Sequence, residues 1–284
     1  MSEFNVAWPA PAKLNLFLHI TGRRDDGYHL LQTVFQFLDF GDTLNFSARD
    51  DAQITQAHPL PGVEWESNLI YKAAALLRPH ASAFCGVSID LQKRLPMGGG
   101  IGGGSSDAAT TLVALNRLWR CGLSEDALAE LGLQLGADVP VFVRGRAAWA
   151  EGVGEHLEPV ILPEPWFAVI YPGVEIPTPE IFRHPALTRD SRALTIRDFL
   201  AGATVCNVCE PVAKELYPSV AKAIEFLDTT APSGVARMTG TGSCVFAQYP
   251  DKQAAESAVA DLPASWRGFA AKGCNSSPLR EVVA

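Results

Sequence analysis

Apolar and polar residues alternate with a period of two near the start of the chain. Across residues 12–20 every second side chain is aliphatic, while Lys13 and Asn15 belong to the other, mainly polar set. This period predicts a strand with one buried face and one polar face. After a turn at 22–27, residues 30–40 form a second strand-like run. The chain is therefore expected to open with two strands.

Three stretches further along have the wider spacing that is typical of helices. Residues 68–77 and 124–135 are short helical stretches, and Ser124 stands where an N-cap would bond the first turn. Residues 108–119 carry apolar side chains at 108, 109, 112, 113 and 115, which lie on one face of a helix. This helix is expected to pack through that face.

The remaining patterns predict short strands and a change of domain. Residues 87–91 are expected to form a strand, 136–142 to turn back into a strand, and 146–154 to form a polar connection. Six prolines lie between positions 159 and 179, a density that is typical of an irregular linker or a domain boundary. The chain is therefore expected to divide near residue 160.

The composition narrows the class of protein. The 284 residues are 48% hydrophobic and 19% charged, as in a globular protein of one or two domains. A net charge of −8 argues against non-specific nucleic-acid binding, which uses a basic face. The longest stretch without a charged residue has 13 residues, whereas a membrane helix needs about 20. No basic segment followed by an apolar run opens the chain, so a cytoplasmic location is expected.

Cysteine chemistry contributes little to the interpretation. Cysteines stand at positions 85, 121, 206, 209, 244 and 274, and we expect reduced, mostly buried thiols. Cys206 and Cys209 have the spacing C-x-x-C, but neither a second pair nor a histidine at ligand spacing accompanies them. We therefore expect neither a zinc site nor a redox site there.

The sharpest local feature of the chain is a glycine-rich loop that leads into the helix predicted at 108–119. Six glycines in seven positions cost backbone entropy on folding, so we expect such a loop to have a functional role. Backbone N–H groups at a helix N-terminus bind polyphosphate, and serine hydroxyls add contacts to phosphate or metal. The loop comprises Pro96, Met97, Gly98, Gly99, Gly100, Ile101, Gly102, Gly103, Gly104, Ser105 and Ser106.

Two known glycine loops fit less well, and a flexible hinge is the remaining alternative. The Walker pattern requires a lysine after the glycines, and none follows here. Gly98, Gly100 and Gly103 match the dinucleotide pattern G-x-G-x-x-G, but Pro96 interrupts the strand that should lead into the turn. A hinge needs neither two serines nor a helix directly after it, so phosphate binding is the favoured interpretation.

Two further places supply side chains that phosphoryl transfer requires. Lys13 and Asn15 share the polar face of the first strand, which by itself is typical of a solvated face. Asp138 stands among small residues, where an aspartate is usually a turn former. Together with the loop they provide a cation for developing charge and a carboxylate for the hydroxyl proton. The sequence therefore indicates a kinase that acts on an alcohol.

Four segments resemble the GHMP small-molecule kinases: PAKLNLFL, LPMGGGIGGGSSDAA, LGADVPVF and TGTGSCVFA, in that order, within about residues 8–281. The segments DGYH, IPTP and AKGCN narrow the resemblance to the members that phosphorylate the 2-hydroxyl of 4-(cytidine 5'-diphospho)-2-C-methyl-D-erythritol, on the non-mevalonate route to isoprenoid precursors. The resemblance implies a two-domain α+β fold. An ATP-binding domain at 1–160 and a C-terminal domain at 161–284 would flank an active-site cleft.

The resemblance also implies roles, position by position. Asp138 matches the general base and Lys13 the cation beside it, and whether the carboxylate abstracts the proton or only positions the hydroxyl stays open. ATP implies Mg²⁺, with the hydroxyls of Ser105 and Ser106 as candidate ligands, while Asp107 has no assigned role. The ATP site comprises the glycine loop, with Asn68, Leu69 and Lys93 on the adenine side. The second substrate is matched to Asn15, to Tyr28 and Phe182 on the cytosine faces, to His29 at its edge, and to Gly240, Thr241 and Gly242.

Three hypotheses for the function remain. The first is the kinase of the cytidyl-linked alcohol. The second is another GHMP enzyme for a smaller alcohol or a phosphorylated mevalonate, which loss of the pocket at Tyr28, His29 and Phe182 would favour. The third is a non-catalytic nucleotide-binding sensor, which absence of Lys13 or Asp138 would favour. The first is preferred, with a small-molecule substrate and no nucleic-acid or membrane partner. The sequence leaves the oligomeric state open, with a homodimer among the alternatives.

Overall fold

The computed structural model describes residues 6–82, 86–232 and 234–283. Cys85, one of the six predicted thiols, lies outside these ranges. Within them, ten strands form one connected sheet, and ten α-helices accompany it. Across this part of the chain, no helix has the length and apolar character needed to span a bilayer. The structure has the mixed helix and strand content that the sequence predicts.

One long strand organises the sheet. The strands are β1 (Trp8–Arg23), β2 (His29–Arg49), β3 (Ile54–Gln56), β4 (Gly86–Gln92), β5 (Ala148–Glu151), β6 (His156–Pro159), β7 (Trp166–Tyr171), β8 (Ala236–Met238), β9 (Val245–Tyr249) and β10 (Arg267–Cys274). Their order is β3, β4, β2, β10, β7, β9 and β8, with β1 and the β5–β6 hairpin joined to β2. At 21 residues β2 is the longest, and it pairs with β1, β4, β5 and β10.

The three predicted helices are present, and the one predicted at 124–135 begins at its expected cap. The helices are α1 (Leu69–Leu77), α2 (Gly103–Leu118), α3 (Glu125–Leu133), α4 (Val139–Arg144), α5 (Thr178–Arg183), α6 (Ile196–Leu200), α7 (Glu210–Leu216), α8 (Pro218–Thr230), α9 (Lys252–Ala258) and α10 (Pro278–Val283). Asn68 caps α1 and Ser124 caps α3 through their side-chain oxygens. Helix α2 begins earlier than predicted, so its first turn contains the end of the glycine loop.

The two opening strands are confirmed, and both are longer than predicted. β1 runs antiparallel to β2, with irregular register between Pro11 and Lys13 and again between Asn15 and Leu18. Such irregularities change the direction of side chains and are frequent beside active sites. Lys13 and Asn15 are only 2% and 3% exposed. The interpretation of this strand face as solvated is therefore wrong.

Two expectations about residues 136–154 are wrong. Val139–Arg144 forms α4 instead of continuing into a strand, because Pro140 suits a first helical turn and the apolar side chains pack against α2 and α3. This tertiary packing outweighs the β-preference of the valines. Ala148–Glu151, expected in a polar connection, forms β5 and pairs with β2 and β6. The sequence pattern was too short to reveal that strand.

Buried side chains form three clusters that join the two halves of the chain. One lies around α1–α4, a second around α7–α9, and a third spans β1, β2, β5, β7 and β9. Leu279 of α10 belongs to the first cluster, while Leu18 and Ile20 of β1 belong to the second. Val160 and Leu162 are buried in the third cluster. A boundary at residue 160 stays a prediction, and apolar contacts cross it in both directions.

Candidate active site

One cleft of about 1130 Å³ brings together residues that lie far apart in the sequence. It is bounded by β1, the start of β2, the N-terminal ends of α2 and α4, helix α5 and the loop at 239–242. The predicted site residues that line the cleft are Lys13, Asn15, Tyr28, His29, Asn68, Leu69, Lys93, Pro96, Met97, Gly98, Gly99, Gly100, Ile101, Gly102, Gly103, Gly104, Ser105, Asp138, Phe182, Gly240 and Thr241. Ser106 and Gly242 do not line it.

Lys13 and Asp138 form an ion pair in this cleft. Lys13 Nζ lies 3.1 Å from Asp138 Oδ2, and it donates to Asn15 Oδ1 over 2.5 Å and to Gly100 O over 3.2 Å. Three partners match the three N–H bonds of an ammonium group. The Lys13 side chain is 3% exposed and that of Asp138 is 35% exposed. A buried cation therefore holds a carboxylate that faces the cleft.

The fold leaves the Asp138 carboxylate free for this contact. Asp138 directly precedes α4, yet its side chain makes no capping bond to that helix.

A backbone hydrogen bond joins β1 to the glycine loop. The N–H of Lys13 donates to Ile101 O over 3.1 Å. This bond ties β1 to the glycine loop, so the cation and the loop keep a fixed relation to each other.

Asn15 supports Lys13 through a buried chain of hydrogen bonds. Its side-chain nitrogen donates to Thr33 Oγ1 over 2.9 Å, and that hydroxyl donates to Phe17 O over 2.5 Å. Its backbone N–H donates to Thr239 Oγ1 over 2.9 Å. The amide oxygen of Asn15 is therefore aimed at Lys13, and the whole group is satisfied without solvent.

The glycine loop turns its carbonyl groups toward the protein and leaves its N–H groups unpaired. Gly98, Gly100 and Gly102 have φ values of +63°, +73° and +76°, which side-chain-bearing residues rarely adopt. The oxygens of 99–102 accept bonds from protein groups. Within the described ranges, no backbone N–H of residues 98–105 donates a hydrogen bond. Such unpaired N–H groups, running into the N-terminus of the 16-residue helix α2, form a cradle for an anion.

A second glycine turn, from the C-terminal half, closes against the first. Cys244 donates its N–H to Gly99 O over 3.0 Å, and Thr239 Oγ1 donates to Gly100 O over 3.4 Å. A Cβ atom on Gly100 would lie 2.3 Å from Thr239 O, and one on Gly240 would lie 2.8 Å from Gly100 O. Only glycine permits this approach, so the two turns form one continuous wall of the cleft.

On the side predicted for adenine, Lys93 is held by two buried carboxylates. Its Nζ donates to Asp42 Oδ2 over 2.6 Å and to Asp107 Oδ2 over 2.8 Å. Asp42 Oδ1 accepts the backbone N–H groups of Arg94 and Leu95 over 2.6 and 2.7 Å. Burial alone would lower the pKa of Lys93, but the two carboxylates outweigh it and the pKa is raised. Lys93 is therefore a cation fixed at the edge of the cleft.

At the other end of the cleft lie the aromatic residues predicted for a pyrimidine. The rings of His29 and Phe182 are stacked, with centroids 5.1 Å apart and planes inclined by 19°. Tyr28 is 63% exposed, so its ring is available to a ligand. Burial, followed by Arg189 and Arg23, lowers the pKa of His29 and favours the neutral imidazole. The three predicted residues lie along one side of the cleft.

The two candidate serines of the glycine loop differ in access. Ser105 lines the cleft, whereas Ser106 is fully buried and its hydroxyl has no hydrogen-bond partner among the described residues. Nowhere in the described ranges do three His, Cys, Asp or Glu side chains form a group suited to a metal. A divalent cation in this cleft would therefore depend on oxygen atoms of a bound ligand, with few protein ligands.

The cysteines lie outside this chemistry. Those at 206, 209, 244 and 274 are free, and Cys209 and Cys244 are buried. Cys206 is exposed, and its Sγ lies 3.8 Å from His19 Nε2. The prediction of mostly buried thiols is wrong for Cys206, because its side chain lies on the loop before α7.

Sequence reasoning missed four residues that support the site. Asp42 and Thr33 lie on β2, Thr239 precedes the second glycine turn, and Arg189 lies beyond α5. The sequence signal was for Thr239, which is the first residue of the segment TGTGSCVFA singled out above. The other three contact the site through strand pairing or through loop packing, which a local pattern does not reveal.

Comparisons with known proteins agree with this architecture. Residues 68–146 match the GHMP kinases N terminal domain, and residues 187–268 match the GHMP kinases C terminal description. A protein of Nitrosococcus oceani named 4-diphosphocytidyl-2-C-methyl-D-erythritol kinase is 58% identical over 278 residues, 98% of each chain. A protein of the same name from Pseudomonas aeruginosa LESB58 is 57% identical, over 98% of this chain and 97% of its own.

Solved structures extend the similarity to the three-dimensional fold. A crystal structure of 4-(cytidine 5'-diphospho)-2C-methyl-D-erythritol kinase superposes with a TM-score of 0.82 at 34% identity, over 94% of this chain and 99% of the other. A mevalonate kinase has the same fold, with a TM-score of 0.65 at 15% identity, over 96% and 100% of the two chains. The expected two-domain α+β fold is confirmed. The chain belongs to the GHMP kinases and, among them, to the family of the 4-diphosphocytidyl-2-C-methyl-D-erythritol kinases.

Proposed function

We propose that the chain transfers the γ-phosphoryl group of ATP to the 2-hydroxyl of 4-(cytidine 5'-diphospho)-2-C-methyl-D-erythritol, giving the 2-phosphate and ADP. The observation that carries this proposal is the Lys13–Asp138 ion pair beside unpaired loop N–H groups, with aromatic residues at the far end of the same cleft. The names of the relatives supply the identity of the acceptor. The reaction belongs to the non-mevalonate route to isoprenoid precursors.

The N–H groups of 98–105 bind the phosphates of ATP. They are unpaired and lead into the N-terminus of α2, where the helix dipole favours anions. Lys13 neutralises part of the charge that develops on the transferred group. Asn68, Leu69 and Lys93, which line the cleft, stay our prediction for the adenine side. Lys93 already bonds two carboxylates, which leaves one N–H bond for a ligand.

Asp138 acts on the acceptor hydroxyl. In the reaction the acceptor oxygen bonds to the γ-phosphorus, the bond from that phosphorus to the β–γ bridging oxygen breaks, and ADP leaves. The hydroxyl proton passes to Asp138 or is lost to solvent late in a loose transition state. The ion pair with Lys13 holds the carboxylate in place in either case.

Recognition of the cytidyl group takes place at the His29 end of the cleft. Tyr28 and Phe182 provide faces for stacking on the cytosine, and His29 provides a polar contact to its edge. Asn15 lies near Lys13, on the side of the methylerythritol. Gly240, Thr241 and Gly242 belong to the turn that closes the cleft from the C-terminal half, although Gly242 does not line it.

Mg²⁺ fits this cleft as an ion held largely by ATP. It prefers phosphate oxygens, waters and one or two carboxylates in such sites. The oxygen side chains that line the cleft near the loop are the Ser105 hydroxyl and the carboxylates of Asp107 and Asp138, of which Asp107 already bonds Lys93. Ser106 fits less well, since its hydroxyl is buried. The bound ion would lower the charge of the phosphates.

Three further expectations complete the proposal. A cytoplasmic location stays a prediction, and a homodimer stays one alternative for the assembly. The absence of a nucleic-acid partner, which the net charge of −8 supports, also stays a prediction. The partner of the chain is in this view its small-molecule substrate. The division into an ATP-binding domain at 1–160 and a C-terminal domain at 161–284 also stays a proposal.

The proposal is tested by ADP release with Mg·ATP and a panel of acceptors. The cytidyl-linked methylerythritol is offered beside homoserine, mevalonate and galactose, and we expect turnover with the first alone. Turnover with another alcohol alone would keep the phosphoryl-transfer residues and overturn the assigned acceptor. Binding of ATP without turnover of any acceptor would overturn the enzymatic proposal and favour a sensor.

A further inference from the structure

Arg189 is anchored beside the predicted cytosine pocket by four hydrogen bonds. Its Nη1 donates to Leu187 O over 3.0 Å, and its Nη2 donates to the carbonyls of Phe182 and His184 over 2.9 Å each. Its Nε donates to the ring nitrogen Nε2 of His29 over 3.2 Å. The guanidinium group therefore links the end of α5 and the segment after it to the first residue of β2.

The charge of this guanidinium is not compensated by an acid. Among residues 6–82, 86–232 and 234–283, no carboxylate forms an ion pair with Arg189. An arginine stays protonated at any relevant pH and can only donate hydrogen bonds. The group is thus a permanent donor and a permanent cation whose position three backbone carbonyls fix.

This contact determines which ring nitrogen of His29 carries the proton. Because Arg189 only donates, His29 Nε2 must accept, and a neutral imidazole then has its single N–H at Nδ1. Stacking on Phe182 fixes the plane of the ring at the same time. We propose that Arg189 is a positioning residue that holds His29 as the neutral Nδ1–H tautomer, so that His29 offers the pyrimidine edge one defined donor.

The proposed donor accounts for a preference between pyrimidines, and it rests on the function proposed above. Cytosine has acceptors at both O2 and N3, whereas uracil carries a proton on N3. A fixed N–H donor that meets N3 therefore suits cytosine and faces a second donor in uracil, whereas contact with O2 alone would not distinguish the two bases. A site built for one pattern of donors and acceptors rejects the other because polar groups are left unpaired.

The charges around His29 favour the neutral imidazole, as the hydrogen bond from Arg189 does. The charged groups whose fields reach the ring are Arg189 and Arg23, at the end of β1. Asp26, in the turn between the two strands, bonds Arg24 over 2.8 Å. Burial and the two cations lower the pKa of His29. Loss of Arg189 is therefore expected to let the ring bind a proton more readily.

The direct test is the tautomer of His29 in the ligand-free protein. ¹H–¹⁵N correlation spectra of the imidazole distinguish the protonated nitrogen from the bare one, and the signals of His29 are assigned from their loss in His29→Ala. We expect Nδ1–H in the wild type. An Nε2–H tautomer in the wild type would overturn the proposal, and this result needs no variant at Arg189 to fold.

The second test separates positioning from a general structural role. Arg189→Gln is compared with Arg192→Gln, an exposed arginine of the same segment with the same loss of charge. For Arg189→Gln we expect a mixture of tautomers, and a KM for the cytidyl-linked substrate that is raised about threefold at about pH 8 and falls toward the wild-type value at about pH 6, because the imidazolium carries an N–H at both ring nitrogens. We expect the KM for ATP to stay within about twofold, and Arg189→Lys to restore part of the affinity.

The outcomes distinguish this inference from the proposed function. An unchanged tautomer together with a pH-independent KM in Arg189→Gln would overturn the role of Arg189 while leaving the kinase activity in place. Equal losses in kcat and in both KM values would also overturn it, because they indicate a merely structural residue. Absence of wild-type turnover with the cytidyl-linked substrate would overturn the proposed function, and the tautomer measurement would still stand by itself.

Discussion

Lys93 Nζ lies 2.8 Å from Asp107 Oδ2, at the end of the glycine loop. The other carboxyl oxygen of Asp107 has no hydrogen-bond partner among the described residues. Burial raises the pKa of Asp107 to about 7, and Lys93 opposes this shift without cancelling it. Asp42 shares the same ammonium group and adds to the rise. The residue left without a role by sequence reasoning is therefore a carboxyl that ionises near neutral pH.

This relationship predicts how the stability depends on pH. The pKa of Asp107 is higher in the folded protein than its ordinary 3.8, so the folded state binds a proton that the unfolded state has lost. The free energy of unfolding therefore decreases as pH rises from about 4 to about 7, by the contribution of this group. In Asp107→Asn that contribution is absent, so stability should fall less between about pH 5 and about pH 7 than in the wild type. Urea unfolding at several pH values measures the difference.

The control for this experiment is Asp261→Asn, which alters an exposed carboxylate far from Lys93 in the sequence. It should keep the pH dependence of the wild type. His19 and His29, whose pKa values are lowered mainly by burial, contribute the opposite slope in all three proteins. Identical curves for Asp107→Asn and the wild type would contradict the prediction.

The Asp138 carboxylate is expected to contribute to chemistry rather than to ATP binding. Asp138→Ala should lower kcat about 100-fold or more, since a positioned base contributes that much, and the KM for ATP should change only a few-fold. Coupled ADP release measures both, with exposed Asp50→Ala as the control. Turnover within a few-fold of the wild type would show the assignment to be wrong.

A companion variant separates the two roles left open for Asp138. Asp138→Asn keeps the shape of the side chain and one oxygen that can accept a hydrogen bond, but it is a poor base. If the carboxylate only positions the hydroxyl, Asp138→Asn should retain much more activity than Asp138→Ala. If it takes the proton, the two variants should be similarly slow.

The exposed ring of Tyr28 is expected to stack on the cytosine. Tyr28→Ala should raise the KM for the cytidyl-linked substrate about tenfold, because stacking on an aromatic side chain stabilises a bound base by about 1–3 kcal/mol. Tyr28→Phe keeps the face of the ring and should behave like the wild type. Since Tyr28 is 63% exposed, the melting temperature should not change. An unaffected KM in Tyr28→Ala would remove this residue from the pocket.

Gly102 tests how closely the glycine loop approaches its neighbours. A Cβ atom there would lie 2.6 Å from the buried ring of Phe142 and 3.1 Å from Lys13 Cε. Gly102→Ala should therefore destabilise the fold by about 2 kcal/mol through overpacking, beyond the cost of its left-handed backbone. It should also lower kcat by displacing Lys13.

Gly122 provides the matched control for that variant. Its φ of +69° is close to the +76° of Gly102, but no atom lies within 4 Å of its Cβ position. Gly122→Ala should cost only about 1–2 kcal/mol of backbone strain and leave kcat unchanged. Equal losses of stability in the two variants, measured by urea unfolding, would mean that the contact with Phe142 is unimportant.

Local sequence patterns predicted the strands and helices that depend mainly on their own residues. They failed where packing against other elements determines the structure. The period of two predicted the core of β1, and the cap at Ser124 marked where α3 begins. The run at Val139–Arg144 misled the prediction, because valine favours strands and only packing against α2 and α3 makes it helical. β5 is too short for its own pattern to predict, and its pairing with β2 produces it.

The site residues divide in the same way. Lys13, Asn15 and Asp138 belong to short motifs, so their chemistry could be inferred before any contact was known. Asp42 was not found because its partner Lys93 lies 51 residues away. Arg189 stands in an irregular segment without a motif, and only its hydrogen bond to His29, across 160 residues, gives it a role.

β2 has a consequence for the choice of acceptor. The strand begins with His29 at the cytidyl end, carries Thr33 beneath Asn15, and reaches Asp42, which holds Lys93 at the nucleotide end. It is unbroken over that distance. The strand thus fixes the distance between the two ends of the cleft. Under the proposed function we expect this distance to favour a long acceptor, because a short alcohol placed at Asp138 would leave the His29 end unfilled.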